Sequence, residues 1–278
     1  KKTAKNARLV YNLAADMGGM GFIENNKAAC MLSVLINTNM LLASQKYGVE
    51  RYFFASSACV YSALKQTNPD VTALKEEDAY PAMPEDGYGW EKLFSERMCR
   101  HFKEDFNIDV RIARYHNVYG PHGTWEGGRE KAPAAICRKV AYLPEEGGTI
   151  EVWGDGKQTR SFLYIDECIE ATRRLMDSDF IGPVNIGSEE MVTINQLVET
   201  AARVANKDVT KQHKLDAPLG VRGRNSNNDL IREKLGWTPD LEKKYWAAES
   251  ADTDSLLAAL QGDVSYSPVK IPVPAGLP

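Results

Sequence analysis

No long block of Lys or Arg occurs in these 278 residues, and the formal net charge is -4. Nucleic acid and anionic membrane surfaces are therefore poor candidates for the main partner. No C-x-x-C pair occurs either. The five cysteines (Cys30, Cys59, Cys99, Cys137, Cys168) are scattered and odd in number, which argues against a disulfide framework or a zinc site and for a reducing, cytoplasmic compartment. No apolar run reads as membrane-spanning, and the basic start at residues 1–8 lacks the apolar segment of a secretory signal. His116 and His122 have no Cys or carboxylate at ligand spacing, so no metal site is expected. Internal repeats are absent.

What is present is an ordinary globular composition, 26% charged and 43% hydrophobic, long enough for one large domain or two unequal ones. Residues 9–15 read as a short buried strand. The glycine loop Asp16-Met17-Gly18-Gly19-Met20-Gly21 follows, open to close approach by a ligand. Across residues 24–47, Ala28, Met31, Leu32, Leu35, Leu42 and Ala43 keep helical spacing, and Gly48 is placed to end the helix. The aromatic, β-prone run 51–55 predicts a second strand, and residues 65–85, with three prolines, predict a loop. A helix over 88–106 has Trp90, Leu93, Phe94, Met98 and Phe102 on its apolar face. Strands follow at 110–113, 150–153, 161–165 and 184–186, and helices near 133–142, from 166, and over 229–235. The run Thr193-Ile194-Asn195-Gln196 has capping-box spacing and opens a helix to about residue 205. After residue 240 one weak helical pattern remains, then a proline-bearing tail over 265–278 expected to be extended or disordered. This alternation implies a parallel sheet, and three successive strand ends meet on the edge where such sheets bind ligands.

Ser57 and Cys59 stand two residues apart just past a strand, a spacing that in extended chain aims hydroxyl and thiol into one pocket. Tyr88 and Lys92, four apart at a helix start, share a face; a nearby ammonium favours phenolate and makes the tyrosine a usable acid or base. Each has a plainer reading alone. Tyr and Lys four apart occur on many solvated helices, a lone Cys is most often a small buried hydrophobe, and Lys131 beside Glu130 is by default a solvated pair. Occurring together, they point to chemistry.

The Ser57, Tyr88 and Lys92 set, with Asn12-Leu13-Ala14-Ala15 before it and Asn117-Val118-Tyr119-Gly120-Pro121 after it, resembles the extended short-chain dehydrogenase/reductase family of sugar-nucleotide enzymes. The resemblance implies an α/β fold: a Rossmann-like parallel sheet, truncated on its N-terminal side, with a smaller α+β substrate-binding domain. It implies NAD as cofactor, with Tyr88 taking a proton from a sugar hydroxyl and Ser57 bonding the same oxygen. Lys92 would hold the nicotinamide ribose, and Ala14 and Ala15 would line the cofactor. Longer runs are similar to the 3,5-epimerase branch of that family, plant and algal enzymes of ascorbate biosynthesis that act on GDP-mannose. These are Ala14 to Phe22, Ser56-Ser57-Ala58-Cys59, Gly127 to Ala135, Trp153 to Phe162, and Val221-Arg222-Gly223-Arg224-Asn225-Ser226.

On that likeness Cys59 and Lys131 form an acid/base pair. Oxidation at C4 acidifies the protons on C3 and C5, and inversion needs removal from one face and return to the other. Guanidinium forks bind phosphate bidentately, so Arg160, Arg222 and Arg224, with Lys139, are candidates for the diphosphate end, with Asn117 near the sugar or pyrophosphate and Gly18 and Gln158 as further substrate-binding residues. A homodimer is expected from the family. The implied organisation is a partial NAD-binding domain over 1–118 with a returning segment at 158–186, a substrate-binding domain over 119–157 and 187–262, and a tail over 263–278. No glycine-rich strand, turn and helix precedes residue 9, so the expectation is a chain opening at the fourth strand, with poor NAD affinity and an apolar sheet edge. Two other readings stay open: a 4-epimerase or 4,6-dehydratase on the same fold, and a noncatalytic protein that binds a nucleotide sugar or a partner subunit.

Overall fold

A computed structural model describes residues 4–239. The chain runs through β1 (Leu9–Asn12), the helical pieces α1 (Met20–Asn25), α2 (Lys27–Leu32) and α3 (Val34–Tyr47), then β2 (Arg51–Ser57), α4 (Tyr88–Phe106), β3 (Asp109–Tyr115) and β4 (Val118–Tyr119). It continues with α5 (Ala132–Ala141), β5 (Gly148–Trp153), β6 (Thr159–Ser161), β7 (Leu163–Tyr164), α6 (Ile165–Asp177), β8 (Val184–Ile186), β9 (Met191–Thr193), α7 (Ile194–Val204), β10 (Val209–Lys214), β11 (Gly223–Arg224) and α8 (Asp229–Leu235).

Strands β1, β2, β3 and β8 form a parallel sheet in that order. This is the α/β architecture that alternating strands and helices imply. Strand β2 is buried on both faces, and its side chains divide by the two-residue period. Tyr52 and Phe54 pack with Val10, Leu41, Val110 and Ile112 under α3 and α4. Phe53 and Ala55 pack with Ala113, Val184 and Ile186 under Ala171, Leu175 and Met176 of α6. A second core joins Ile136 and Val140 of α5, Ile150 and Val152 of β5, Phe162, and Ile194, Leu197 and Val198 of α7. Thr193 and Gln196 make the reciprocal capping box that opens α7.

Domain boundaries fall differently from expectation in two places. Strand β6 lies between β9 and β11 in the sheet of the smaller unit, so the return to the first core begins at Leu163 rather than at 158. Helix α8 falls in the range expected for the substrate-binding domain, yet Ile231 is buried in the first core beside β8. Its single apolar face seals the sheet's last strand. The short strands β4, β9, β10 and β11 are additions to the sequence reading. The weak helical pattern after 240 and the tail at 263–278 lie outside the described residues.

The helix expected over 24–47 is broken. The side chains of Asn25 and Asn26 donate to the carbonyls of Gly21 and Phe22, 2.7 and 2.9 Å away, offering an alternative to the backbone ladder where α1 ends. Its inward face also differs. Met31, Leu32, Leu35 and Leu42 are 49–62% exposed, whereas Asn37, Leu41 and Ser44 are buried. Asn37 Oδ1 accepts from Asn12 Nδ2 at 3.1 Å and from the Tyr52 hydroxyl at 2.8 Å, and this satisfied polar cluster sets the helix rotation. By length and composition Lys27–Tyr47 is apolar enough to cross a membrane, against the expectation that no run is. In this fold it bends at Ser33 and packs as a layer on the sheet and α4.

Candidate active site

Ser57 ends β2 in extended conformation, but the chain does not stay extended to Cys59. The Ser57 Oγ accepts from the Cys59 backbone N–H at 3.2 Å and caps a single 3-10 turn, Ala58–Val60. The turn, rather than an extended spacing, is what brings hydroxyl and thiol to one cleft. Tyr88 opens α4, lines the cleft beside Ser57, and packs with Cys59, Ile23 and Cys30. Burial raises the Tyr88 phenol above its ordinary value; Cys59 adds to that and the nearby Ser57 hydroxyl opposes it. Lys92, one turn on, is 2% exposed, with its ammonium 5.5 Å from the Tyr88 ring centroid and 3.7 Å from Glu91 Oε2. Burial lowers the ammonium, with Glu91 opposing. The expected bias toward phenolate is therefore outweighed by burial in the chain alone.

The second wall comes from residues 127–139. The Gly19 N–H donates to the Arg129 carbonyl at 3.0 Å, and a Cβ on Gly19 would lie 2.4 Å from the Glu130 carbonyl oxygen, so only glycine lets these two loops close. Arg129 also ion-pairs with Asp16 at 2.6 Å. This clip holds half-buried Lys131, which begins α5, on the cleft that Cys59 lines. Burial lowers its ammonium, with Cys59 and then Cys168 opposing. Glu130 is not its partner: that carboxylate binds Arg138 at 3.0 Å and the Gly128 N–H at 2.7 Å. Buried Gly18, and Asn117 at φ 40° with its Nδ2 donating to the Ser161 carbonyl, complete this part of the cleft.

Farther along, Lys139 donates to the Glu151 carbonyl at 2.7 Å and Gln158 Nε2 to the Trp153 carbonyl at 2.9 Å. Gln158 Oε1 is buried without a hydrogen-bond partner among the described residues. Arg160 donates to two backbone carbonyls, of Thr159 and Leu219, at 2.7 and 3.2 Å. Burial takes its guanidinium down to about 10, with Cys59 opposing. A half-buried cation held by carbonyls rather than by a carboxylate is suited to an anionic ligand. Among the described residues, no group of three or more His, Cys, Asp or Glu side chains is placed to hold a metal.

Residues 1–187 match the model of the NAD dependent epimerase/dehydratase family. The chain belongs to that family. This epimerase/dehydratase chain is 50% identical over 253 residues to GDP-mannose 3,5-epimerase of Arabidopsis thaliana and, equally, to GDP-mannose 3,5-epimerase 1 of Oryza sativa subsp. indica. Both matches cover 88% of this chain, which spans 66% of the length of those relatives. Its fold is that of UDP-glucose 4-epimerase from Thermotoga maritima, with a TM-score of 0.77 at 22% identity, covering 90% of this chain and 77% of that one. The UDP-glucuronic acid 4-epimerase of Bacillus cereus, solved with UDP-glucuronic acid and NAD, also gives 0.77, at 23% identity over 92% and 77%.

Within this family member the residues anticipated for NAD divide. Lys92 fits a ribose: it is a buried cation whose nearest carboxylate, at 3.7 Å, is beyond hydrogen-bond distance, so its donors remain available beside Tyr88. Ala15 packs against the cluster holding Cys59 and Tyr88, whereas Ala14 is exposed, and Met17 to Gly21 line the cleft instead. The two neighbouring arginines anticipated for the diphosphate separate, Arg224 lining the cleft and Arg222 not. Arg222 does not line the cleft and is held bidentately by Asp155 at 3.0 and 3.1 Å, and that pairing holds the Asp155 carboxyl down to about 2. Arg224 is 4% exposed and turns toward Cys59, donating to its Sγ at 3.5 Å and to Gln66 Oε1 at 2.7 Å, and ion-pairs with Glu85. Sequence reasoning missed Glu85 and Gln66. Glu85 lies three residues before Tyr88, the one local hint that it belongs to the site.

Proposed function

We propose that the protein is an NAD-dependent isomerase converting GDP-mannose to GDP-L-galactose, by transient oxidation at C4 and epimerisation at C3 and C5, as a step of ascorbate biosynthesis. The observation that carries this reading is the convergence of Cys59 and Lys131 on the cleft that Tyr88 and Ser57 also line. The first pair is what proton exchange beside a ketone requires, and the second is what opens and closes the ketone.

NAD, when bound, supplies a reversible hydride acceptor for C4. Tyr88 takes the C4 hydroxyl proton, and Ser57 holds the same oxygen. With C4 a ketone, Cys59 and Lys131 remove and return protons at C3 and C5 from opposite faces; burial of Lys131 eases loss of its proton. Tyr88 returns its proton when C4 is reduced. Arg160 and Lys139 hold the diphosphate, and the unpartnered Gln158 oxygen accepts from a ligand hydroxyl or base N–H.

A homodimer and a cytoplasmic location belong to the same reading. Leu35 and Leu42 of α3 and Trp90 and Phe94 of α4 are 42–57% exposed on adjacent helices, an apolar surface that a second copy would cover. All five cysteines are free, as a reducing compartment would keep them.

The test is incubation with GDP-mannose in deuterated water, read by NMR. Deuterium at both C3 and C5 is expected. Turnover with no exchange at either carbon would defeat the proposal and favour a 4-epimerase.

A further inference from the structure

The neighbours of Cys59 form a closed ring that the proton-transfer scheme does not use. The Cys59 carbonyl accepts from the Glu85 N–H at 3.1 Å. The Glu85 carboxylate ion-pairs with Arg224, and Arg224 Nη1 returns to Cys59 Sγ at 3.5 Å. The Arg224 side chain is 5% exposed and that of Glu85 11%. Gln66, fully buried, fixes the third corner of the guanidinium through Nε and is itself tied to the Ser62 carbonyl at 3.2 Å. The strand carrying Arg224 has little room to shift, because a Cβ on Gly223 would lie 2.3 Å from the Asn68 carbonyl oxygen.

We propose that Arg224, anchored by Glu85, is a positioning residue for Cys59: it fixes the sulfur's direction into the cleft and stabilises the negative charge that the sulfur carries once its proton leaves. A guanidinium stays protonated throughout the working pH range, so its N–H donates to thiolate far better than to thiol. The other charged or titratable groups facing the sulfur are Tyr88 and Lys92 from α4, Lys131 at the start of α5 and Arg160 from β6. Of these cations, Arg224 is the one with a hydrogen bond to the sulfur in place. The assignment of Cys59 as an acid/base group rests on the proposed isomerase reaction; the pairing and its test do not.

The test is the rate of iodoacetamide modification of Cys59, mapped by peptide mass spectrometry in the absence of nucleotide sugar, for the wild type, Arg224→Gln and Arg224→Lys. Loss of the guanidinium should slow modification about tenfold at neutral pH, with the gap closing at alkaline pH where the thiol ionises unaided. Arg224→Lys keeps a charge that Glu85 can capture, and should slow it less. If Arg224→Gln does not fold, by near-UV circular dichroism, Arg224→Lys carries the test. A rate that is unchanged, or slowed equally at every pH, in the folded variant overturns the proposal. An arginine serving only to bind phosphate would raise KM and leave this rate where it is.

Discussion

A Cβ placed on Gly89 would lie 2.3 Å from the carbonyl oxygen of Cys59. Helix α4 therefore meets the turn after β2 backbone to backbone, and that contact sets Tyr88, one residue earlier, against Ser57 and Cys59. The spacing between Tyr88 and Cys59 is fixed by the absence of a side chain at Gly89.

Gly89→Ala should accordingly impair both stability and catalysis. Forcing a methyl into this contact costs about 1–3 kcal/mol, and a displacement of about 1 Å at Tyr88 costs on the order of 100-fold in turnover. Thermal melting and turnover of GDP-mannose check this. Wild-type turnover in the alanine variant would show that the close approach does not position the site.

The arginines should separate in kinetics. Arg160 has no carboxylate partner among the described residues, so Arg160→Met should raise KM for the nucleotide sugar about 10- to 100-fold, the worth of a charge-assisted hydrogen bond. Arg222 is held by Asp155 outside the cleft, and Arg222→Met should change KM by no more than about threefold. Calorimetric titration with GDP reads the same difference without turnover. Equal losses in the two variants would contradict the placement.

Acid should destabilise the fold through His116. This imidazole is fully buried, donates from Nε2 to Asn185 Oδ1 at 3.0 Å, and is taken down to about 4, chiefly by burial. Its folded value lies below the ordinary 6.5, so the unfolded chain binds the proton first. The stability it contributes is complete above that ordinary value and is lost as pH falls from there toward about 4, amounting to about 3 kcal/mol. Urea midpoints at pH 7 and pH 5 should differ less in His116→Gln than in the wild type. An equal pH response in both would locate the acid sensitivity elsewhere.

The outward face of α3 and α4 gives an assembly prediction. Leu35→Glu combined with Phe94→Glu replaces side chains that are 54% and 57% exposed, so protomer stability should change by only about 0.5 kcal/mol. Sedimentation velocity should show the wild type as a dimer and this variant as a monomer. A variant that stays dimeric would place the interface on another surface.

The sequence by itself determined whatever depends on near neighbours. The helix Tyr88–Phe106 with Tyr88 and Lys92 on one face, the Thr193 capping box and Gly48 as a left-handed helix end are all visible as spacing, because caps, turns and helical faces are fixed within four or five residues. Only the tertiary structure decided which stripe of α3 turns inward. Apolar count favours Leu35 and Leu42, but Asn37 finds Asn12 and Tyr52, which are distant in the chain. It likewise decided that Arg222 and Arg224, two residues apart and alike in sequence, separate, one onto Asp155 and the other onto the Cys59 sulfur. A charged side chain is defined by the partner that compensates it, and here those partners, Asp155 for Arg222 and Glu85 for Arg224, are distant in the chain.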